Sequence, residues 1–233
     1  MHPAVSNLNG HESLKAHSED CVGVVLAGGQ SKRMGTDKAL LTDKQAKTCL
    51  QNTLDRLVAI GLKKIVISGD RHRDSFSASS DVDIRVVSDL TSDSGPLAAL
   101  DSVLQQLVVQ QQIPKQLLII PVDMPYLKAD YLIRLLQTDA SVSCCFKDFL
   151  LPLKLTLNEH SWQAIKHCLS ESNSRKHSIK NLYYQIPHSQ LPLAAAEHYF
   201  FQNTNTPEQW QQFLNSKSSL ISHAQEEPFK NVS

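Results

Sequence analysis

The sequence carries no surplus of charge. Its 23 Lys and Arg match 23 Asp and Glu, the formal net charge is +0, and the pI is about 7.1. A broad nucleic-acid or membrane surface is therefore not indicated, and any cationic site has to be local. A disulfide framework is missing as well. The five cysteines, at 21, 49, 144, 145 and 168, are odd in number and show no C-x-x-C spacing. Cys144-Cys145 sits in an apolar run, where a free thiol behaves as a small hydrophobe, so buried reduced cysteines are expected rather than bridges or zinc. Residues 1–20 lack the apolar segment of a secretory signal, and no run approaches the ~18 apolar residues that span a bilayer. The expectation is a cytoplasmic protein. No internal repeat or interdomain linker breaks the chain. Its 233 residues, 41% hydrophobic, suit one α/β domain with a sizeable core, or at most two small ones.

The chain is organised around Cys21 to Leu41, CVGVVLAGGQSKRMGTDKALL. Val22 to Leu26 is short, apolar and β-branched, as a buried strand should be. It breaks into Ala27-Gly28-Gly29, where paired glycines permit backbone angles and close approaches that a Cβ would block. Polar and charged residues follow, from Gln30 to Arg33 and then Asp37-Lys38. A strand ending in a glycine turn with free N–H groups, flanked by cations, is suited to polyphosphate. Neither G-x-x-x-x-G-K-[ST] nor G-x-G-x-x-G is present. The pattern is L-A-G-G-x-S-x-R-M-G-x-D-K.

Along the chain, residues 1–20 read as a disordered extension, 21–215 as the folded domain and 216–233 as a flexible tail. Ala39 to Leu41 suggests a short strand and turn. Leu50, Leu54, Leu57 and Val58 form one helical face, with Thr48 and Gln51 as a capping box and Gly61 as the stop. Strands are expected at Lys64–Ser68, Ile84–Val87 and Leu117–Ile120. A helix opens at Pro96 between the last two. The Leu117–Ile120 run is apolar at every position, as a central parallel strand is. Alternation of strand and helix predicts a doubly wound, mostly parallel sheet, whose ligands bind at the carboxyl ends of the strands. Gly28, Ser68, Asp89 and Asp123 all fall there. In the second half, 142–146 and 150–157 read as a hairpin, with Pro152 holding its strand to an edge or irregular position. Further helices are expected at 130–136, 159–169 and 179–183. Tyr199–Phe201 reads as a strand, and a capped helix starts at Pro207.

Nucleotidyl transfer suits these residues. The triphosphate has to be gripped, the attacking oxygen aligned behind the α-phosphorus, and the phosphoryl charge neutralised. Backbone N–H groups around Gly28, Gly29 and Ser31 can face the phosphates, Arg33 offers a planar fork, and Lys38 a point charge. Lys32 reads as surface. Asp123 is the metal candidate, since Mg²⁺ takes one or two carboxylates and completes its shell with water and phosphate. A turn aspartate is the alternative. Asp89 could assist the metal, accept from the N1–H and N2–H donors of guanine, or merely cap a turn.

The loop resembles the signature of nucleotidyltransferases of the glycosyltransferase-A-like fold, and among them it is most similar to molybdenum cofactor guanylyltransferases. The resemblance covers roughly residues 21–214. It includes Ser88-Asp89, Gly95-Pro96-Leu97-Ala98, Val122-Asp123-Met124-Pro125, and Phe201-Gln202-Asn203-Thr204-Asn205-Thr206-Pro207, which is similar to the family's F-x-N-x-N-T-P. Gly28 and Asp37 take the guanylyl form, where cytidylyl relatives read L-A-A-G and P-K. The resemblance implies a three-layer Rossmann-like fold with a small antiparallel hairpin subregion. It implies Mg²⁺-dependent transfer of GMP from GTP to the terminal phosphate of molybdopterin-bound molybdenum, releasing pyrophosphate. Leu26, Ala27 and Gly28 would bind GTP through the backbone; Gly29, Lys38, Ser68 and Asp89 would contact the nucleotide; Asp123 would hold GTP and Mg²⁺. Arg33, Lys38 and Asp123 would form the catalytic set. Asn203 and Asn205 would lie on the pterin side or satisfy the turn before the helix. Arg175 and Lys176 could meet the incoming phosphate or be solvated. Implied partners are GTP, the molybdopterin cofactor and the proteins that supply and receive it; a monomer is expected. Ala99 and Ser68 depart from the family's usual Gly and Asn and touch nucleobase selection. Two rival readings remain: a sugar-phosphate or cobinamide-phosphate nucleotidyltransferase of the same fold, and a non-catalytic nucleotide-binding cofactor chaperone.

Overall fold

A strand of alternating environment starts the fold. In Cys21–Leu26 (β1), Cys21 and Val25 enter one apolar cluster, while Val22 and Val24 enter another on the opposite face. Gln116–Pro121 (β4) divides in the same way, with Leu118 and Ile120 on one side and Leu117 and Ile119 on the other. Strands buried on both faces need helices on both, and that requirement sets the three layers. The computed structural model describes residues 20–28, 34–69, 75–77, 79–88, 95–171 and 177–224, the side chains of 217–224 excepted. Expectations for the N-terminal extension, for Gly29 to Arg33, for Asp89 and for Arg175 and Lys176 fall outside these residues.

The remaining elements are, in chain order, a 3-10 turn at Lys38–Leu40, Cys49–Ala59 (α1), Lys64–Ser68 (β2), Asp83–Val87 (β3), Pro96–Val109 (α2), β4, Ala129–Leu136 (α3), Ser143–Phe146 (β5), Phe149–Thr156 (β6), Glu159–Ser170 (α4), Ile179–Gln185 (α5), His188–Leu191 (β7), a 3-10 helix at Ala195–Phe201, and Pro207–Ala224 (α6). One seven-stranded sheet runs β3-β2-β1-β4-β6-β5-β7. The first four strands are mutually parallel, β6 is antiparallel to β4 and β5, and β7 is parallel to β5. Side chains of α1, α3 and α6 cover one face; those of α2, α4 and α5 cover the other. Gly23 allows the close approach of α1 to β1, because a Cβ there would lie 3.1 Å from Leu57 Cδ1 and 3.2 Å from Leu62 Cδ1. All five cysteines are buried and free. No described helix is long and apolar enough to cross a membrane.

Several local expectations are corrected. Ala39–Leu41 is not a strand. Asp37 accepts the Ala39 N–H at 3.0 Å and folds the segment into the 3-10 turn. Tyr199–Phe201 is not a strand either but the end of the second 3-10 helix, with its rings packed on Tyr126, Tyr131, Phe146 and Phe149. The hairpin β5–β6 is present and lies inside the sheet. Pro152 escapes the need for a ladder N–H because register with β4 runs from Thr156 only to Leu153, and pairing with β5 is irregular between Cys144 and Phe146. Thr48 caps α1 through the Gln51 N–H, yet the Gln51 side chain binds Asp55 and Ser77 instead of closing the box.

Candidate active site

Register brings three chain exits to one rim of the sheet. Leu26 lies opposite Ser68 on one side and Pro121 on the other. The ladder continues one step beyond the strands: Ala27 N–H donates to Ser68 O, and Val122 N–H donates to Leu26 O, both at 3.2 Å. Neighbouring strands are about 4.8 Å apart, so the backbone at Ala27-Gly28 runs directly beside Val122-Asp123. Leu26 is partly buried, Ala27 buried and Gly28 exposed, so the rim opens to solvent at the glycine. Ser68 is fully buried.

Asp123 is held from three directions. Its backbone carbonyl accepts the Thr204 N–H at 2.9 Å, with the Thr204 hydroxyl at 3.5 Å. Two residues on, the Pro125 carbonyl accepts Arg56 Nη2 at 2.7 Å from α1. Burial lowers the Arg56 guanidinium from its ordinary pKa, but an arginine stays charged in proteins. The Asp123 carboxylate then points toward the turn after the glycine loop. Lys38 Nζ donates to its Oδ2 at 2.9 Å and to Asn205 Oδ1 at 2.5 Å. Both charged side chains are mostly covered, at 19% and 16% exposure. The position of Lys38 follows from its neighbours: Asp37 caps the 3-10 turn, Ala39 is buried at 0% exposure, and Met34 anchors the preceding turn in the core. Gly35, at φ 72°, supplies the left-handed step between loop and turn.

The other carboxylate oxygen, Asp123 Oδ1, is buried and has no hydrogen-bond partner among the described residues. An orphaned anionic oxygen is costly unless something positive meets it. It fits a divalent cation of the Mg²⁺ kind, which needs few protein ligands. Among the described residues no group of three or more His, Cys, Asp or Glu gathers to form a protein-only cage.

A cavity of about 610 Å³ adjoins this site. Tyr126, Phe149 and Phe201 give it an apolar wall, and Asn203, Asn205, Gln209 and Gln212 an amide wall. Gln209 also accepts the N–H groups of Asn205 and Thr206, fixing the start of α6. A second groove, about 700 Å³, lies between β3 and α2, three strands away from β4.

Lys38, Asp123 and Asn205 are thus brought together, with Ala27 and Gly28 alongside and Asn203 on the cavity wall. Gly29, Arg33 and Asp89 lie outside the described residues. Sequence reasoning missed Thr204 and Arg56. Thr204 lies inside the string Phe201–Pro207, but Asn-Thr-Asn is uniformly polar, and only the structure shows Thr204 buried between exposed Asn203 and half-buried Asn205. Arg56 carried no readable signal.

Comparison with known proteins agrees with this architecture. The family model described as MobA-like NTP transferase domain matches residues 23–185. A molybdenum cofactor guanylyltransferase from Xanthomonas euvesicatoria is 32% identical over 192 residues, 82% of this chain and 93% of that protein. One from Shewanella baltica is 28% identical over 194 residues, 81% and 92% respectively. Among solved structures, molybdopterin-guanine dinucleotide biosynthesis protein A from Archaeoglobus fulgidus superposes with a TM-score of 0.62 at 17% identity, covering 85% of this chain and 99% of that one, and shares the fold. The glycine loop leaving β1, the sheet order and the matched span give one conclusion: this chain belongs to the MobA-like NTP transferase family and is a nucleotidyltransferase.

Proposed function

We propose that the protein transfers GMP from GTP to the terminal phosphate of the molybdopterin-bound molybdenum cofactor. An oxygen of that phosphate attacks the α-phosphorus, the bond from the α-phosphorus to the bridging oxygen breaks, and pyrophosphate leaves. The observation that carries the reading is the Lys38–Asp123–Asn205 contact at the rim of the sheet, with Asp123 Oδ1 unpartnered beside an amide-lined cavity. Relatives covering over nine-tenths of their own length carry the guanylyltransferase name, which favours guanine and this acceptor.

In this reading Ala27 and Gly28 present backbone to the triphosphate, and Gly28 leaves room for a close approach. Lys38 places a positive charge where the α-phosphoryl oxygens gain charge. Asp123 would hold Mg²⁺, which when bound neutralises phosphoryl charge. Asn203 and Asn205 turn their amides to the acceptor side, where a pterin offers matching donors and acceptors. Arg33 and Gly29 grip the leaving phosphates and Asp89 meets the nucleotide, as the motif implies, whereas Ser68, fully buried, is left without a direct contact to it. The protein acts in the cytoplasm, as a monomer, between cofactor-supplying and cofactor-receiving proteins.

The test is incubation with α-labelled GTP, Mg²⁺ and molybdenum cofactor, read as labelled dinucleotide and released pyrophosphate. Asp123→Ala should keep the fold and lower turnover by about a thousandfold, the scale of removing one preorganised charge-stabilising group. Labelling of sugar phosphates or cobinamide phosphate alone, or normal turnover by the variant, would refute the acceptor or the role of Asp123 respectively.

A further inference from the structure

Lys38 and a divalent cation would compete for one carboxylate. The ammonium has three N–H donors. Two are engaged, with Asp123 Oδ2 at 2.9 Å and Asn205 Oδ1 at 2.5 Å. Its charge therefore already rests on the group whose second oxygen, Oδ1, is buried and unpartnered. A cation at that oxygen would sit within a few ångströms of the ammonium. With exposures of only 19% and 16%, little water is present to screen the repulsion. The neutral amide of Asn205 cannot offset a second positive charge, but it holds the first one in place.

We infer that Lys38 is a resident counter-ion that keeps divalent metal from binding Asp123 tightly until a triphosphate arrives, and that Asn205 is the positioning residue that holds it there. This rests on reading Asp123 as the metal's ligand. The triphosphate removes the conflict in two ways. It brings the negative charge that two neighbouring cations require, and it gives the Lys38 ammonium a new acceptor, so that the contact with Asp123 can loosen. Metal and nucleotide then bind with strong positive coupling, and by linkage each tightens the other by the same factor. Lys38 thus serves twice, as a placeholder in the free enzyme and as a phosphate ligand in the complex.

The experiment is a Mn²⁺ titration followed by the electron paramagnetic resonance signal of free Mn²⁺. It is run on the full chain with and without a non-hydrolysable GTP analogue, for wild type, Lys38→Met, Asn205→Leu and Asp123→Asn. Without nucleotide, Lys38→Met should bind Mn²⁺ about tenfold or more tightly than wild type, since a facing charge has been removed. Asn205→Leu, which keeps both charges and only frees the lysine, should gain about threefold, well below the tenfold or more of one hydrogen bond to a charged group, because the ion pair with Asp123 remains. In both variants the tightening of Mn²⁺ by the analogue should shrink. Asp123→Asn should lose Mn²⁺ in every state. If Asp123→Asn loses the metal while the other two variants bind it as wild type does without nucleotide, the counter-ion role is wrong and the metal reading stands. If Asp123→Asn binds Mn²⁺ like wild type, both fall. Should Lys38→Met not fold, Asn205→Leu decides alone.

Discussion

Lys154→Met probes a polar clamp at the end of the sheet opposite the site. Lys154 is fully buried in β6. Its ammonium donates to the carbonyls of Thr138 at 3.1 Å and Asp139 at 2.7 Å, just beyond α3. Gln116 and Thr156 bind the next carbonyl, that of Ala140, so three side chains from β4 and β6 fix the link into β5. Methionine fills most of the lysine stem and leaves no large cavity. It removes two hydrogen bonds from a charged donor, about 1.5–3 kcal/mol each, and orphans the Thr138 carbonyl, which has no second donor among the described residues. Against this stands relief from burying an ammonium, whose pKa burial pushes below its ordinary value. A net loss of about 2 kcal/mol is expected, or a fall of about 4–8 °C in Tm for a chain of this size. The assay is urea and thermal unfolding at pH 7, with GTP affinity of the folded variant as a control that should not change. The pH dependence has a definite sign. With a depressed folded pKa, the unfolded chain holds the proton longer, so wild-type stability through this group rises with pH from the depressed value toward 10.5. The gap between wild type and variant should widen across that window. A variant as stable as wild type at pH 7, with a gap that does not move, would show that the buried ammonium is a net burden and that the clamp contributes nothing.

Two further predictions concern β1. Burial pushes the Cys21 thiol up from 9.0 to about 12. The folded chain keeps a proton that the unfolded chain loses in this window, so stability falls as pH rises through it, by about 1.4 kcal/mol per pH unit for one group. Cys21→Ala should lack that slope, and its stability relative to wild type should improve above pH 9; parallel profiles by denaturant titration would count against the buried thiol. Gly23→Ala should destabilise by about 1–2 kcal/mol, because its methyl meets two fully buried leucines at 3.1 and 3.2 Å, and a stabilised variant would mean that α1 is free to shift.

The first half of the fold was legible because each element there follows a strong local rule. The apolar runs of β1 and β4, the helical face of α1 and the proline opening α2 all formed where their patterns placed them. The elements misread or missed were set by packing. β7 was overlooked because His188–Leu191 is polar and largely exposed, and only pairing with β5 makes it a strand. Tyr199–Phe201 has the composition of a strand but follows the aromatic cluster around Tyr126 and Tyr131. At the site, residue types named Lys38 and Asp123, while their meeting across the sheet rim, and the clamp by Arg56 and Thr204, depend on register and on contacts between residues far apart in the chain.

The hydrogen bonds from Thr204 and to Asn205 carry a consequence for biosynthesis. Lys38 and Asp123 emerge from the ribosome well before the segment that steadies them. A nascent chain can therefore build most of its sheet while the centre that joins those two charges is still unfinished. The contact that steadies Lys38 against Asp123 is thus added only when residues 203–205 have been made.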